Sequence, residues 1–507
     1  MTYIRRTALE IAVFLCGAVV MIYEIIGSRL VSPYIGGSIY IWTSLIGVIL
    51  GSLSLGYWLG GRLADKKPDI RHLASIIFAA AALIAITTLV KDVFLAAIAS
   101  AAMILEIKAV IASLVLFAPA SIFLGMVTPY AIKLKMLSLY ESGRTVGNLY
   151  ALSTIGSIVG TFSAGFFLVP FVGSVRTLYI IAAILFVVAI ILFPLRFTVA
   201  NIAALMIFVA GIAASEFTRY YLYEQNELVD IDTEYSRIQV FRTTDPVTSR
   251  PIRAYATDPY FAQSAVFYDS DDLVFPYARF YDLLKHFNPG FQRTLMLGGG
   301  GFTYPRHYVE TYPNATIDVV EIDPKVEEIA RKYFRLRDDL RLKVFHEDGR
   351  VFLNKASAGT YDAILIDAFG SLFSVPFQLT TREAVQRMHD ALNDRGVVIA
   401  NIGSSITGSA SHFLQAELTT YRSVFPQVLI FKVKPERADT DLQNLILVAL
   451  KRDKTLDLSS DDPELGILLS HLYTESIEAN RATLTDDLAP VEHYSSQAQR
   501  EFLSRGY

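Results

Sequence analysis

Three connected parts are predicted from this 507-residue sequence. They are an N-terminal α-helical multi-span membrane domain over residues 1–218, a small antiparallel β subdomain over 219–272, and an α/β domain over 273–507. Three observations carry that division. Hydrophobic residues make up 53% of the chain and mean hydropathy is +0.40, too apolar for an ordinary soluble protein. Charge is segregated: from Thr7 to about Phe217 long apolar runs are broken by few charges, and after Arg219 the composition becomes that of a soluble domain. From Arg293 the pattern turns to strand, glycine turn and helix in alternation, which implies a parallel sheet with helices on both faces.

A helix needs roughly 20 apolar residues to cross the hydrocarbon core. Candidate spans are Ala8 to Leu30, Ile39 to Leu59, Leu73 to Val90, Val110 to Tyr130, Gly147 to Val172, Leu178 to Leu195 and Val199 to Phe217. Phe94 to Leu105 is apolar but short, an eighth span or a re-entrant segment. Arg5 and Arg6 precede the first run, but no small-residue cleavage site follows, so it reads as a retained helix rather than a signal peptide. Arg5, Arg6, Arg62, Lys66, Lys67 and Arg71 share one side if the first two spans form a hairpin, and the positive-inside rule makes that side cytoplasmic. Seven spans leave the C-terminal half outside; eight return it to the cytoplasm, and that is the placement expected here on metabolic grounds. Glu24, inside the first span, reads as a polar path or as a packing carboxylate paired with Arg29. "GYWLGGRLADK" (Gly56 to Lys66) resembles the loop after the second helix of major-facilitator transporters, although small residues also serve plain helix packing.

The subdomain reads as short alternating strands in "SRIQVF", "IRAYAT" and "FAQSAVFY", separated by turn-forming residues. "LVFPYARFYDLLKHF" then has helical periodicity. Strands follow at Thr294–Leu297, Ile317–Glu321, Leu342–Phe345, Ala363–Ile366, Val397–Asn401, Val428–Lys432 and Leu445–Ala449, with helices at Pro305–Tyr312, Pro324–Tyr333 and Arg382–Leu392. A net charge of −4 gives no reason to expect nucleic-acid binding, and one cysteine, Cys16, excludes an intrachain disulfide or a cysteine-based zinc site. No metal site is expected.

Four strand ends carry the chemistry. Gly298, Gly299 and Gly300, with Gly301, let backbone pass close to a ligand where a Cβ would obstruct it. Glu321 ends the second strand, where a carboxylate can accept both ribose hydroxyls; the alternative is a helix N-terminal charge, a role open to Asp323. Asp348, before Gly349, can accept from an adenine amino group or simply form an Asp-Gly turn. Asp367 ends an apolar strand and can hold an attacking amine and take its proton. In this order they predict a pocket for an adenosyl sulfonium co-substrate.

These residues resemble the spermidine synthase (polyamine aminopropyltransferase) family, and in particular its membrane-fused branch. The likeness runs through "EIIGSRLVSPYIG", "WTSLIGVILGSLSLGYWLGGRLAD", "GGGGFTYPR", "VVEID", "LTTREA" and "LTDDLAPVE". It implies a Rossmann-like, methyltransferase-type catalytic domain and decarboxylated S-adenosylmethionine as co-substrate, with no tightly bound cofactor. An amine such as putrescine would attack the propyl carbon beside the sulfonium and release methylthioadenosine. Glu321 would bind ribose, Asp348 and Gly349 adenine, Asp367 would accept the proton, and Gln263 would line the site. Association into a homo-oligomer is also implied.

The sequence departs from the family where cations are held. Gly301 stands where soluble members carry an acid after the glycines, and Gly370 where a second acid follows Asp367. Ser236 replaces a glutamine, and Phe275, Pro276 and Tyr277 replace the Tyr, His and Glu of the gate, with Tyr277 able to reach inward. Asp271, Asp272, Asp486 and Asp487 are the acids available to substitute, or else a solvated loop and a helix cap. A donor with its carboxylate intact, giving a methyltransferase or a side-chain lyase or cyclase, is a second reading. A transporter or sensor with a non-catalytic adenosyl domain is a third.

Overall fold

A computed structural model describes every residue other than 1–2, 37, 102, 137–141, 194–198, 258–260, 369–374, 454–455 and 505–507. Two compact units divide the chain, Met1–Arg237 and Ile238–Tyr507, each built round an apolar core of its own.

The first unit is helical: α1 (Tyr3–Ile35), α2 (Ile39–Lys66), α3 (Ile70–Ser100), α4 (Leu105–Leu116), α5 (Ala118–Lys135), α6 (Ser142–Ser163) continued by a π-helical stretch Ala164–Val172, α7 (Ser174–Leu192) and α8 (Val199–Asn226). Its outer surface is apolar, with Ile39, Trp42, Ile46 and Leu50 on α2 and Phe162, Phe166 and Phe167 on the sixth segment all exposed. Water does not tolerate an apolar surface of that extent. Among the described residues, five helices are long and apolar enough to cross a membrane, and α4 with α5, bent by 53°, make a sixth if the pair is one span. Pro119 at the start of α5 accounts for the bend, since it cannot donate to the preceding turn. The Leu116 carbonyl at this break accepts instead from Tyr23 Oη (2.8 Å) and Thr87 Oγ1 (2.9 Å).

Two sequence expectations change here. Phe94–Ser100 is the end of α3 and not a separate span, because its apolar residues keep the helical phase of the segment before them. Phe94–Ser100 therefore supplies no eighth span; the expected cytoplasmic placement, made on metabolic grounds, does not depend on it. The last apolar stretch, Asn201–Phe217, is shorter than the other candidates, and α8 runs eight residues past the expected boundary at 218 into polar sequence. Leu195, the expected end of the sixth span, lies outside the described residues.

Close helix approach orders the bundle. A Cβ on Gly156 would sit 2.0 Å from the Phe14 carbonyl oxygen and one on Gly160 2.3 Å from that of Ala18, so α1 and α6 meet backbone to backbone. Gly56 and Gly60 do the same for α2 on α5, which gives the transporter-like segment a packing role. Lys133 Nζ lies 2.7 Å from Asp65 and Lys135 pairs with Glu10, fixing the start of α1 and the ends of α2 and α5 at one end of the bundle. At the other end Tyr34 Oη donates to Asp92 (2.6 Å), Arg29 donates to the Glu234 carbonyl, and Asp232 accepts from the Ser174 amide (2.7 Å). The chain therefore leaves the bundle opposite the Lys133–Asp65 end. Arg29 is engaged with Glu234 there rather than serving only as a partner for Glu24 one turn away.

Strands β1 (Val229–Asp232), β2 (Arg237–Thr244), β3 (Pro251–Ala256) and β4 (Ser264–Phe267) form a sheet in that order, β2–β3 and β3–β4 antiparallel. The predicted helix over 273–287 is broken into α9 (Pro276–Arg279), a 3₁₀ turn and α10 (Leu283–Phe287). Then come β5 (Arg293–Leu297), α11 (Thr303–Thr311), β6 (Thr316–Val320), α12 (Pro324–Tyr333), β7 (Leu342–Phe345), α13 (Gly349–Lys355), β8 (Tyr361–Ile366), α14 (Arg382–Ala391), β9 (Leu392–Ser404), α15 (His412–Arg422), β10 (Gln427–Lys432), β11 (Gln443–Leu450), α16 (Pro463–Ser470) and α17 (Val491–Ser504). The seven strands β5–β11 are ordered β10-β11-β9-β8-β5-β6-β7. β9-β8-β5-β6-β7 are parallel, whereas β11 pairs antiparallel with both β9 and β10, so the sheet is not parallel throughout. β11 follows β10 by a short return, which only an antiparallel pairing can close. The reversal of strand order at β5, with β6 on one side and β8 on the other, opens a crevice at the carboxyl ends.

Candidate active site

Parallel register brings the four strand ends together. Leu297 pairs with Val320 on one side and Ile366 on the other, so the residues just beyond them, Gly298, Glu321 and Asp367, are neighbours in the crevice. Gly298 has φ +90°, and a Cβ there would lie 2.3 Å from the Asp367 carbonyl oxygen. Glycine is required both by the backbone conformation and by the approach of β8. Gly299 and Gly300 continue the turn, which closes on buried Phe302 through its amide to the Gly299 carbonyl (2.8 Å).

Glu321 is buried, and its two oxygens accept one backbone amide each, Oε2 from Gly299 (2.9 Å) and Oε1 from Asp323 (3.0 Å). Burial raises its pKa, and those amides oppose the rise. Capping of α12 falls to Asp323, whose Oδ1 accepts from the Lys325 amide (2.9 Å). Glu321 thus orients the glycine loop. Asp348 caps α13 with one oxygen, Oδ1 accepting from Arg350 (2.8 Å) and Val351 (3.0 Å), and Oδ2 faces Gln378 Nε2 at 3.4 Å. Gly349 has ordinary surroundings: a Cβ would meet Leu379 at 3.5 Å.

Asp367 accepts from Tyr277 Oη at Oδ2 (3.0 Å) and from Asn401 Nδ2 at Oδ1 (3.3 Å), and Asn401 in turn accepts from Asn444 (2.9 Å). Asp367 keeps a solvent-accessible edge but is enclosed by protein, and desolvation raises its pKa to about 6 against the pull of these donors. Burial, and secondarily the Asp367 charge, push the Tyr277 and Tyr281 phenols well up, so both stay hydroxyl donors. Tyr281 donates to the Ile366 carbonyl (3.0 Å), holding the end of β8. Gln263 enters through its backbone carbonyl, 3.2 Å from Tyr277 Oη, while its side-chain oxygen accepts from the Thr257 amide (2.8 Å).

Tyr281, Asn401 and Asn444 were not singled out from the sequence; Asn401, a polar residue ending the apolar run "VVIA", carried the only signal. Gly301 is tightly enclosed: its amide donates to Ser264 Oγ (2.9 Å), and a Cβ would meet Ser264 Cβ at 2.8 Å and Phe334 at 3.1 Å. Three substitute acids are engaged elsewhere. Asp271 pairs with Arg306 and with Arg335 (2.8 Å), Asp272 accepts from Ser270 (2.9 Å), and Asp486 from Arg350 and Thr381 (2.7 Å each). Asp487 is exposed. Gly370 lies outside the described residues.

A glycine turn, Glu321 and the enclosed Asp367 at adjacent parallel strand ends belong to a Rossmann-like domain. More specifically, residues 281–434 match the family model described as the spermine/spermidine synthase domain. The polyamine aminopropyltransferase of Vibrio vulnificus is 35% identical over 188 residues, 36% of this chain and 61% of its own. The probable polyamine aminopropyl transferase of Bifidobacterium longum is 29% identical over 227 residues, 45% of this chain and 48% of its own. Both are matched over less than two thirds of their length. Polyamine aminopropyltransferase 1 of Streptomyces coelicolor is 25% identical over 413 residues, 73% of this chain and 72% of its own, so that likeness extends into the helical unit.

Proposed function

We propose that this protein is a membrane-anchored polyamine aminopropyltransferase, using decarboxylated S-adenosylmethionine and an amine such as putrescine. The observation that carries the reading is Asp367, an enclosed carboxylate held by Tyr277 and Asn401 beside the glycine turn and Glu321. Glu321 binds the donor's ribose and Asp348 its adenine, with Gly298–Gly301 passing beneath. The amine nitrogen attacks the propyl carbon next to the sulfonium; the carbon–sulfur bond breaks with its electron pair on sulfur, leaving neutral methylthioadenosine. The proton shed by nitrogen goes to Asp367, whose pKa near 6 leaves it ionised at neutral pH and able to accept. Five or six apolar helices of the first unit support anchorage in a lipid bilayer.

The test is incubation of the purified protein with decarboxylated S-adenosylmethionine and putrescine, followed by mass spectrometry. Spermidine with methylthioadenosine is the expected outcome. S-adenosylhomocysteine formed from S-adenosylmethionine would make the domain a methyltransferase, and adenosyl binding without any product would make it a sensor.

A further inference from the structure

A cationic substrate needs an acid, and the acids suggested by the sequence are paired with arginines, bonded to hydroxyls or exposed. Glu417 on α15 is none of these. It is 4% exposed, and its Oε1 has no hydrogen-bond partner. A buried carboxyl left without a partner costs stability, so an uncompensated one marks a place where something is missing. It lines a cavity of about 20 Å³ with Ile366 and Ala368, the residues on either side of Asp367, and with Leu379, Thr380 and Tyr421. That volume admits one water-sized group. An ammonium terminus fits it and a nucleoside does not.

We propose that Glu417 is the cation-recognition acid of this site, receiving the primary alkylammonium end of a substrate that lies across the carboxyl end of β8. This rests on the aminopropyltransferase reading and assigns the task that Gly301 cannot perform. Burial holds the Glu417 carboxyl well above its usual range, and Tyr421, the titratable group facing it, is likewise pushed up by burial and by Glu417. Burial thus favours the uncharged carboxyl over the carboxylate. An arriving ammonium favours the charged form, and the carboxyl proton is released to solvent. Two groups have the required chemistry, the acceptor's distal amine and the amine of the donor's aminopropyl arm.

The experiment is calorimetric titration of the full-length protein in two buffers of different ionisation enthalpy, with putrescine over saturating methylthioadenosine, and separately with decarboxylated S-adenosylmethionine and with methylthioadenosine alone. Wild-type protein is expected to release a proton on binding the ammonium-bearing ligand. Glu417→Gln should bind that ligand roughly tenfold or more weakly, without proton release, and bind methylthioadenosine unchanged. A loss confined to putrescine assigns the cavity to the acceptor; a loss confined to decarboxylated S-adenosylmethionine assigns it to the donor arm. Equal affinities and equal proton release in the two proteins overturn the proposal. Should Glu417→Gln fail to bind methylthioadenosine, Glu417→Asp decides, retained proton release supporting the site and its absence overturning it. Putrescine binding that depends on Glu417 in a protein making no spermidine would remove the transferase reading and leave the cation site standing.

Discussion

Asp367 combines an enclosed position with two neutral donors, and both consequences can be measured. With a pKa of about 6, the transfer rate should fall tenfold per pH unit below pH 6 and level off above it, seen in a pH profile of kcat/KM. Asp367→Asn should lower kcat by about 10²–10⁴-fold and leave methylthioadenosine affinity within a few-fold; lost affinity would make the residue structural. The stability effect has the opposite sign. Because the folded-state pKa lies above the ordinary 3.8, the charge opposes folding: the penalty is absent below about pH 4, grows through pH 6, and is then about 3 kcal/mol less the share its exposed edge keeps hydrated. Asp367→Asn should therefore melt higher than wild type at pH 8 and level with it at pH 4. Glu321→Gln should weaken every adenosyl ligand by roughly tenfold, since an amide cannot accept at both ends; unchanged affinity would remove the ribose assignment.

At the scale of elements, the sequence made the strands and the four strand ends readable because a glycine or an acid interrupts each apolar run. It did not show that β11 runs antiparallel, nor that Asn401 and Asn444 support Asp367, because those contacts depend on which strands become neighbours. The helix expected over 273–287 begins only at Pro276, whose ring favours a helix start and not its middle, and tightens to a 3₁₀ turn over Phe280–Asp282. Tyr277, in the first turn, reaches Asp367. Glu417 was hidden for a simpler reason: on an amphipathic helix an acid is ordinarily read as solvent-facing, and only packing reveals it inside. The glycines separate in the same way. Gly298→Ala should abolish adenosyl binding and lower Tm by several degrees, since both its φ and the Asp367 carbonyl reject a Cβ. Gly349→Ala, with its nearest neighbour at 3.5 Å, should bind methylthioadenosine within a few-fold of wild type. Calorimetry on the two variants checks the contrast.

For the whole molecule the open quantity is sidedness. Arg62, Lys66, Lys67, Lys133 and Lys135 gather at the bundle end that holds the Lys133–Asp65 pair, and the chain departs from the opposite end through Asp232. If the first unit spans a bilayer as proposed, the positive-inside rule would put the basic end in the cytoplasm and the departing chain on the other side. A C-terminal alkaline phosphatase fusion should be active and a fluorescent-protein fusion dark in a bacterial host. The reverse pattern would mean that supply of a cytosolic donor outweighs the charge rule.

Gly301 carries a last consequence, for the order in which this site can change. An aspartate placed there alone would drive its Cβ into Ser264 and Phe334. Position 301 therefore takes an acid only after Ser264 has been made smaller, and the two substitutions work only in that order.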